Sequence, residues 1–277
     1  MIKLKFPLFL RILFLFGLTQ LAGIYAAYKF LPALGPAQPA RLSEFSFYDL
    51  VILVVLVLFL IFIVRKFKLV SSVFFKVFLT VVVFAGTQAM FAIWFSPLIS
   101  TFIAILLLIL FWFFNNVFLQ DLVMVLTFAG VGAVLGISLM PGTVILILVI
   151  LSFYDIIAVY KTKHMVELAE AMIRSRAIFG FVVPATFRDF KERMTRVSPG
   201  GQFMILGSGD VILPLLLSAS LVGTSLSQSV IVAFFSALGL FLMHLIFTNQ
   251  KVRRPMAALP PIAAMAILGY LIVSLVR

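Results

Sequence analysis

The 277-residue chain contains no cysteine, which excludes a disulfide framework, a thiolate nucleophile and a sulfur-ligated metal site, and leaves the redox compartment undetermined. Histidine occurs only as His164 and His244, too few for a His-rich metal centre. Charge is scarce: Asp, Glu, Lys and Arg together make up 11% of the chain, whereas 64% is hydrophobic and mean hydropathy is +1.28. Soluble domains carry about a quarter charged residues, so water is not the main solvent of this chain. Acid is scarcer than base, at 9 residues against 21, giving a net charge of +12. In a soluble protein that balance would point to nucleic acid. In one this apolar it marks the loops on the cytoplasmic side of a membrane, and nucleic acid is set aside as a partner. Also missing is the alternation of apolar and polar residues that a membrane β-barrel requires. Val51 to Val64 and Thr101 to Phe114 are continuously apolar, which excludes a barrel and leaves helices as the spanning elements.

What is present is a series of apolar runs, each long enough to cross a hydrocarbon layer of roughly 30 Å as helix. The runs predict nine spans, near residues 7–29, 48–64, 73–95, 98–118, 121–139, 143–160, 203–222, 228–247 and 257–276. Lys3 and Lys5 before the first run resemble the start of a signal peptide, but Arg11 interrupts the run and the apolar stretch continues too far. It reads as a retained first span. With the N-terminus cytoplasmic, eighteen of the basic residues fall on the inner side and only Lys29, Arg41 and Arg277 on the outer. The expected protein is therefore an all-α polytopic membrane protein with nine transmembrane helices, N-terminus cytoplasmic and C-terminus extracytoplasmic.

Residues 161–202 form the longest interruption, dividing a six-helix part (1–160) from a three-helix part (203–277). From His164 to Ile178, apolar Val166, Leu168, Ala169, Met172 and Ile173 interleave with Glu167, Glu170, Arg174 and Arg176, as in a helix lying at the inner interface. The second half of this cytoplasmic loop, with Pro184, Pro199, Gly200 and Gly201, reads as flexible. No repeat of fixed period is evident.

The nine acids sort by depth. Glu44, Asp49, Asp121, Glu167, Glu170, Asp189 and Glu192 fall in loops or at span edges, whereas Asp155 and Asp210 fall inside spans six and seven. A carboxylate within a span is expensive and faces the bundle interior, which makes it a functional-site hypothesis; the plainer reading is a structural acid paired with a base or an amide. Counted along the helix, both acids lie roughly 8 to 10 Å below the cytoplasmic face. Spans six and seven run antiparallel, so two carboxylates at one level can face each other. Adjacent carboxylates cannot both ionise and therefore share a proton. One then serves as general base on a water while its protonated partner polarises a carbonyl and later delivers a proton to the leaving nitrogen. That is aspartic-protease chemistry, with no metal, no cofactor and no covalent intermediate.

The neighbouring residues fit this chemistry with different specificity. In Gly207-Ser208-Gly209-Asp210, two glycines precede the acid, where a neighbouring helix or a substrate backbone can come close. Tyr154 stands beside Asp155, and aromatic packing is a sufficient account of it. Leu259-Pro260-Pro261 opens span nine. Its prolines are compatible either with an irregular segment able to pair with an extended substrate strand, or with an ordinary helix start.

With Tyr154 to Glu170 (YDIIAVYKTKHMVELAE), Gly207 to Asp210 followed by VILP, and Ala257 to Pro261 (AALPP), the chain resembles the intramembrane aspartyl proteases of the presenilin and signal peptide peptidase family, and most of all their archaeal presenilin homologues. Order, spacing and the nine-span plan agree over essentially the whole chain. The resemblance implies a presenilin-like fold, Asp155 as the aspartate of the family's YD motif, Asp210 as that of its GxGD motif, and Leu259-Pro260 as the end of its PALP motif. Ala257 is a departure, standing where eukaryotic members have the first proline of that motif. Gly207, Gly209, Ala257, Ala258, Leu259 and Pro260 become expected substrate-binding residues, and Tyr154 and Ser208 supporting ones. The expected partners are transmembrane helical protein substrates and membrane lipid, and the expected location is the cell membrane of a prokaryote. The oligomeric state is left open. The eighteen-to-three charge count favours the presenilin rather than the signal-peptide-peptidase sense of insertion.

A proton- or cation-coupled secondary transporter using the same buried carboxylates is the rival reading, since paired acids and Pro-broken helices suit it too. Among other residues, His244 is expected to be a hydrogen-bonded packing residue, and Gly132 and Gly136 to allow close helix packing. Lys76 is expected to snorkel to the inner headgroups, and Gln88, Asn115 and Asn116 to form interhelical hydrogen bonds or loop edges.

Overall fold

The structure is a computed structural model that describes residues 6–33, 68–162, 164–184, 186–197, 203–250 and 255–275. Its helices are α1 (Phe6–Ala33), α2 (Lys68–Phe91), α3 (Pro97–Phe114), α4 (Val117–Ser138), α5 (Pro141–Ile156), α6 (His164–Ser175), α7 (Ser208–Ser220), α8 (Leu226–Thr248) and α9 (Leu259–Leu275). α5 passes directly into a π-helical turn, Ile157–Lys161. Between α6 and α7 lie a strand β1 (Gly180–Pro184), two short 3-10 turns and a strand β2 (Phe203–Gly207).

Among the described residues, six apolar segments are long enough to cross a membrane, while α7 and α9 are shorter at 13 and 17 residues. Expected span two, near 48–64, lies outside the described residues. The other expected spans coincide with helices to within a few residues, except at one place. The start of span seven, Phe203–Gly207, is not helix but strand, paired antiparallel with Gly180–Pro184 so that Gly180 faces Gly207 and Pro184 faces Phe203. A short apolar run such as Phe-Met-Ile-Leu reads equally well as strand or helix. Long-range pairing decides between them.

The same hairpin corrects the expectation of a flexible second half for the loop. Both faces of β1 are buried: Phe181 and Val183 join the main core, and Val182 joins Val117, Ile178, Met194 and Val197 in a smaller cluster at the start of α4. A strand buried on both faces shows no alternation, so Phe181-Val182-Val183 carries no period-2 signal. Backbone bonds from Val117 to Glu192 O (3.0 Å) and from Met194 to Asn115 O (3.0 Å) fasten the 3-10 segment to the same helix end. Pro199 to Gly201 lie outside the described residues. The interfacial helix appears as α6, with Leu168, Ala171 and Met172 packed on the core and Glu170 and Arg174 paired outside it at 3.6 Å.

α4 is the hub. It packs against α1, α2, α7 and β1, and more lightly against α3. Close approach is possible because it presents glycines at its crossings. A methyl group on Gly130 would strike the carbonyl oxygen of Gly86 on α2, and one on Gly136 would strike Ala219 on α7. Gly132, the other half of the GxxxG pair, is covered by Leu215 of α7. The pair therefore packs α4 on α7. Gln88 Nε2 donates to Thr101 Oγ1 at 3.1 Å, joining α2 to α3. Asn115 takes a left-handed conformation (φ 44°) at the end of α3, and the Asn116 side chain accepts from Leu119 N at 2.8 Å to cap α4. Small polar residues are suited to both tasks. Lys76 is exposed.

Candidate active site

Asp155 lies in the last turn of α5, one residue before the helix ends at Ile156 and widens into its π-helical turn. π turns shift the register of side chains and recur at functional sites. The side chain is buried, 7% exposed, and its Oδ2 accepts a hydrogen bond from the backbone amide of Leu259 at 3.3 Å. That donor has a sequence-level cause. Leu259 opens α9, and Pro260 and Pro261 after it have no N–H. The Leu259 amide is thus a donor left over at a helix N-terminus, where a carboxylate is well placed. Residues 255–258 before it are non-helical, with Ala257 buried and Ala258 partly so. Both alternatives weighed for this segment are thus realised in succession: an irregular stretch, then a helix with proline in its first turn.

Asp210 is reached differently. It is the third residue of α7, not the seventh or so within a span, because the hairpin takes up the preceding residues. Gly207 is at once the last residue of β2 and the N-cap of α7, and the Asp210 carboxylate, three positions into the helix, turns back toward it. A Cβ on Gly207 would stand 3.2 Å from Asp210 Oδ2, so the carboxylate would have to give way by a few tenths of an ångström. Gly209, by contrast, is exposed and has room for a methyl group, its nearest neighbour being Leu213 Cδ1 at 3.9 Å. The amide of Ser208 donates to Phe179 O at 3.0 Å, which stitches the start of α7 to the residue ahead of β1.

Helices α5, α7 and α9 pack on one another in all three pairings. The packing brings Asp155 and Asp210 within reach of each other's charge, and Tyr154 within reach of that of Asp155. Leu259 closes the group through its amide, and Gly207 through Asp210. Tyr154 is 38% exposed.

Several polar residues around this group were not singled out from sequence as parts of it. From α1, Gln20 Nε2 donates to Val211 O at 3.0 Å, next to Asp210, and Arg11 donates to Pro184 O at 2.7 Å. From α4, Gln120 Nε2 donates to Ile178 O at 2.8 Å, and Asp121 Oδ1 accepts from Val182 N at 2.8 Å. Asp121 was grouped with edge acids because it stands at the start of a span; it is 2% exposed. A polar pair at a span edge is the one signal the sequence offers, and an edge facing water looks the same as one covered by a hairpin. His244 is buried against Phe9, with ring centroids 5.2 Å apart, but neither ring nitrogen has a hydrogen-bond partner among the described residues. It packs as expected without the expected hydrogen bond, because its neighbours there are apolar rings.

The family profile described as signal-peptide peptidase, presenilin aspartyl protease matches residues 16–277. Comparison with curated protein sequences finds no match. Two solved structures share the fold, each described as a presenilin family intramembrane aspartate protease. The one in space group C222 has a TM-score of 0.64 and 22% identity, covering 97% of this chain and 99% of its own. The other, in space group P2, has a TM-score of 0.59 and 26% identity, covering 96% of each. With the profile matched over nearly the full length and the fold shared end to end, this chain belongs to the signal-peptide peptidase and presenilin family of intramembrane aspartyl proteases.

Proposed function

We propose that the chain is an intramembrane aspartic endopeptidase of the GxGD type, in which Asp155 and Asp210 form the catalytic dyad and hydrolyse peptide bonds within transmembrane segments of membrane proteins. The observation that carries this reading is the convergence of two carboxylates from separate helices, Asp155 held by the Leu259 amide and Asp210 lying against the backbone of Gly207. The dyad holds one proton between its two members. The ionised member takes a proton from water as its oxygen attacks the scissile carbonyl carbon, and the protonated member donates to the carbonyl oxygen. A tetrahedral diol results. Its collapse breaks the C–N bond as the protonated member gives its proton to the nitrogen and the ionised member takes one from a diol hydroxyl, releasing a carboxylic acid and an amine and leaving the dyad with a single proton.

A helical peptide bond is shielded by its own hydrogen bonds, so the substrate must unwind before attack. Gly209, whose flank is open, and the non-helical stretch through Ala257 and Ala258 into Leu259 and Pro260 are the proposed contacts for the unwound strand, together with Gly207. Tyr154 and Ser208 support the dyad. The proposed setting is a nine-span arrangement in the cell membrane of a prokaryote, surrounded by lipid, with the N-terminus cytoplasmic. The basic-residue asymmetry supports that sense. Residues 1–160, 161–202 and 203–277 are its six-helix part, cytoplasmic loop and three-helix part. Neither the fold nor the family supports the transporter reading.

The test is cleavage of a single-span model substrate by purified protein in detergent. Asp155→Ala and Asp210→Ala are each expected to reduce product to background, and a transition-state-analogue inhibitor of aspartic proteases is expected to label the wild type only. Full activity in either variant overturns the proposal.

A further inference from the structure

In an antiparallel pair, every second residue of a strand directs its N–H and C=O away from its partner. On β1 those outward groups include the Gly180 carbonyl, the Val182 amide and the Pro184 carbonyl, and each is met by a side chain instead of another strand. Gln120 Nε2 reaches Gly180 O at 3.4 Å as well as Ile178 O at 2.8 Å, Asp121 Oδ1 accepts from Val182 N at 2.8 Å, and Arg11 donates to Pro184 O at 2.7 Å. All three side chains are buried. They come from α1 and α4, two long helices packed on each other. Unmet backbone groups at a buried strand edge are strongly unfavourable, so these contacts fix where β1 sits.

The consequence travels a short way. β1 sets the register of β2, with Val182 opposite Ile205 and Gly180 opposite Gly207. Gly207 in turn is the cap of α7, and the Asp210 carboxylate lies against it. Asp121 Oδ2 has no partner among the described residues, so the Val182 amide is the contact that accounts for placing this acid in an apolar cluster.

We propose that Asp121, with Gln120 and Arg11 beside it, is a positioning residue for the reaction: it clamps the outer edge of β1 to the helical scaffold and so holds Gly207, and the Asp210 carboxylate lying against it, at a fixed place opposite Asp155. The proposal rests on the proteolytic reading of the dyad.

The experiment compares Asp121→Ala, Asp121→Asn, Val182→Pro and the Asp121→Ala/Val182→Pro double variant, with Asp155→Ala as control. Asn keeps the accepting oxygen. Proline at 182 deletes the strand's donor while leaving the residues of α4 unaltered, at an edge position where the ladder to β2 does not need it. Measured are kcat, KM and the pH profile on a single-span model substrate, and amide hydrogen exchange of residues 203–210. Asp121→Ala and Val182→Pro are each expected to lower kcat about 10- to 100-fold, as displacement of a catalytic group by about an ångström does, with KM within about twofold and faster exchange in 203–210 but not in α1. The double variant is expected to be no worse than either single one, and Asp121→Asn to keep wild-type kcat and an unshifted pH profile. Unchanged kcat and exchange in Asp121→Ala, or additive losses in the double variant, overturn the clamp. If instead Asp155→Ala still cleaves, it is the proteolytic reading that fails, and the exchange of 203–210 alone decides the clamp.

Discussion

The helices that carry the candidate carboxylates and the helices that hold them are built differently. α1, α2 and α4 run 28, 24 and 22 residues, and α4, the most enclosed of the long apolar segments, is 67% buried. α7 and α9 are short, and α5 changes to a π turn just beyond its acid. Asp155, Asp210 and the Leu259 amide all lie at helix ends. Helix interiors consume their own N–H groups, so only an end offers a spare amide to a carboxylate. The unbroken helices provide tight packing and the interrupted ones carry the candidate carboxylates. A second contrast runs within the scaffold. α3 is a nearly uninterrupted run of Leu, Ile and Phe yet is only 17% buried, whereas α4, with its glycines, Gln120 and Asp121, is buried most. In lipid an apolar surface gains nothing by leaving its solvent, so small and polar residues mark the inside.

This division can be broken from either side. The largest effect is expected at the helix ends: Asp155→Asn or Asp210→Asn should lower kcat by about 10³-fold or more, while the thermal midpoint in detergent stays near that of the wild type. A parallel collapse of the midpoint would mean the acids are structural. On the scaffold side, Gly130→Ala should lower stability by about 1 to 3 kcal/mol, because its methyl meets the Gly86 backbone, which cannot rotate away. Turnover per folded molecule, counted by inhibitor titration, should be unchanged. A drop in turnover without a drop in stability would erase the distinction.

Leu259→Pro sharpens it. Removing the amide that donates to Asp155 forfeits a hydrogen bond to a charged group, about 1.5 to 3 kcal/mol, so kcat should fall about tenfold or more below that of Leu259→Val, which keeps the amide. Equal kcat in the two variants would show that the bond does not matter to turnover. The smallest effect is expected at Gln88→Leu, which deletes one bond between α2 and α3. About 0.6 kcal/mol of stability and no activity should be lost, as read by thermal midpoint and initial rate.

Much of this architecture was legible because a membrane helix announces itself by length and composition, and because an acid within an apolar run stands out against it. Asp155, Asp210 and the Leu-Pro-Pro segment were picked out on those grounds. The hairpin was not, since Gly180–Pro184 is buried on both faces and Phe203–Gly207 merges into the following helix without a change of hydropathy. Asp121 does stand near a helix start, but buried. Its position at a span edge is compatible with water or with protein, and only the strand that folds over it distinguishes them.

The chain's residues alone determined that it belongs in lipid as a bundle of helices, and which two acids are out of place there, because transfer of a charge into hydrocarbon is unfavourable whatever the fold. Only the tertiary structure decided that Asp210 follows a strand, that the Leu259 amide receives the Asp155 carboxylate, and that side chains of α1 and α4 close the edge of β1. Those are contacts between residues up to 173 positions apart, set by backbone groups that every residue carries and no side-chain pattern records.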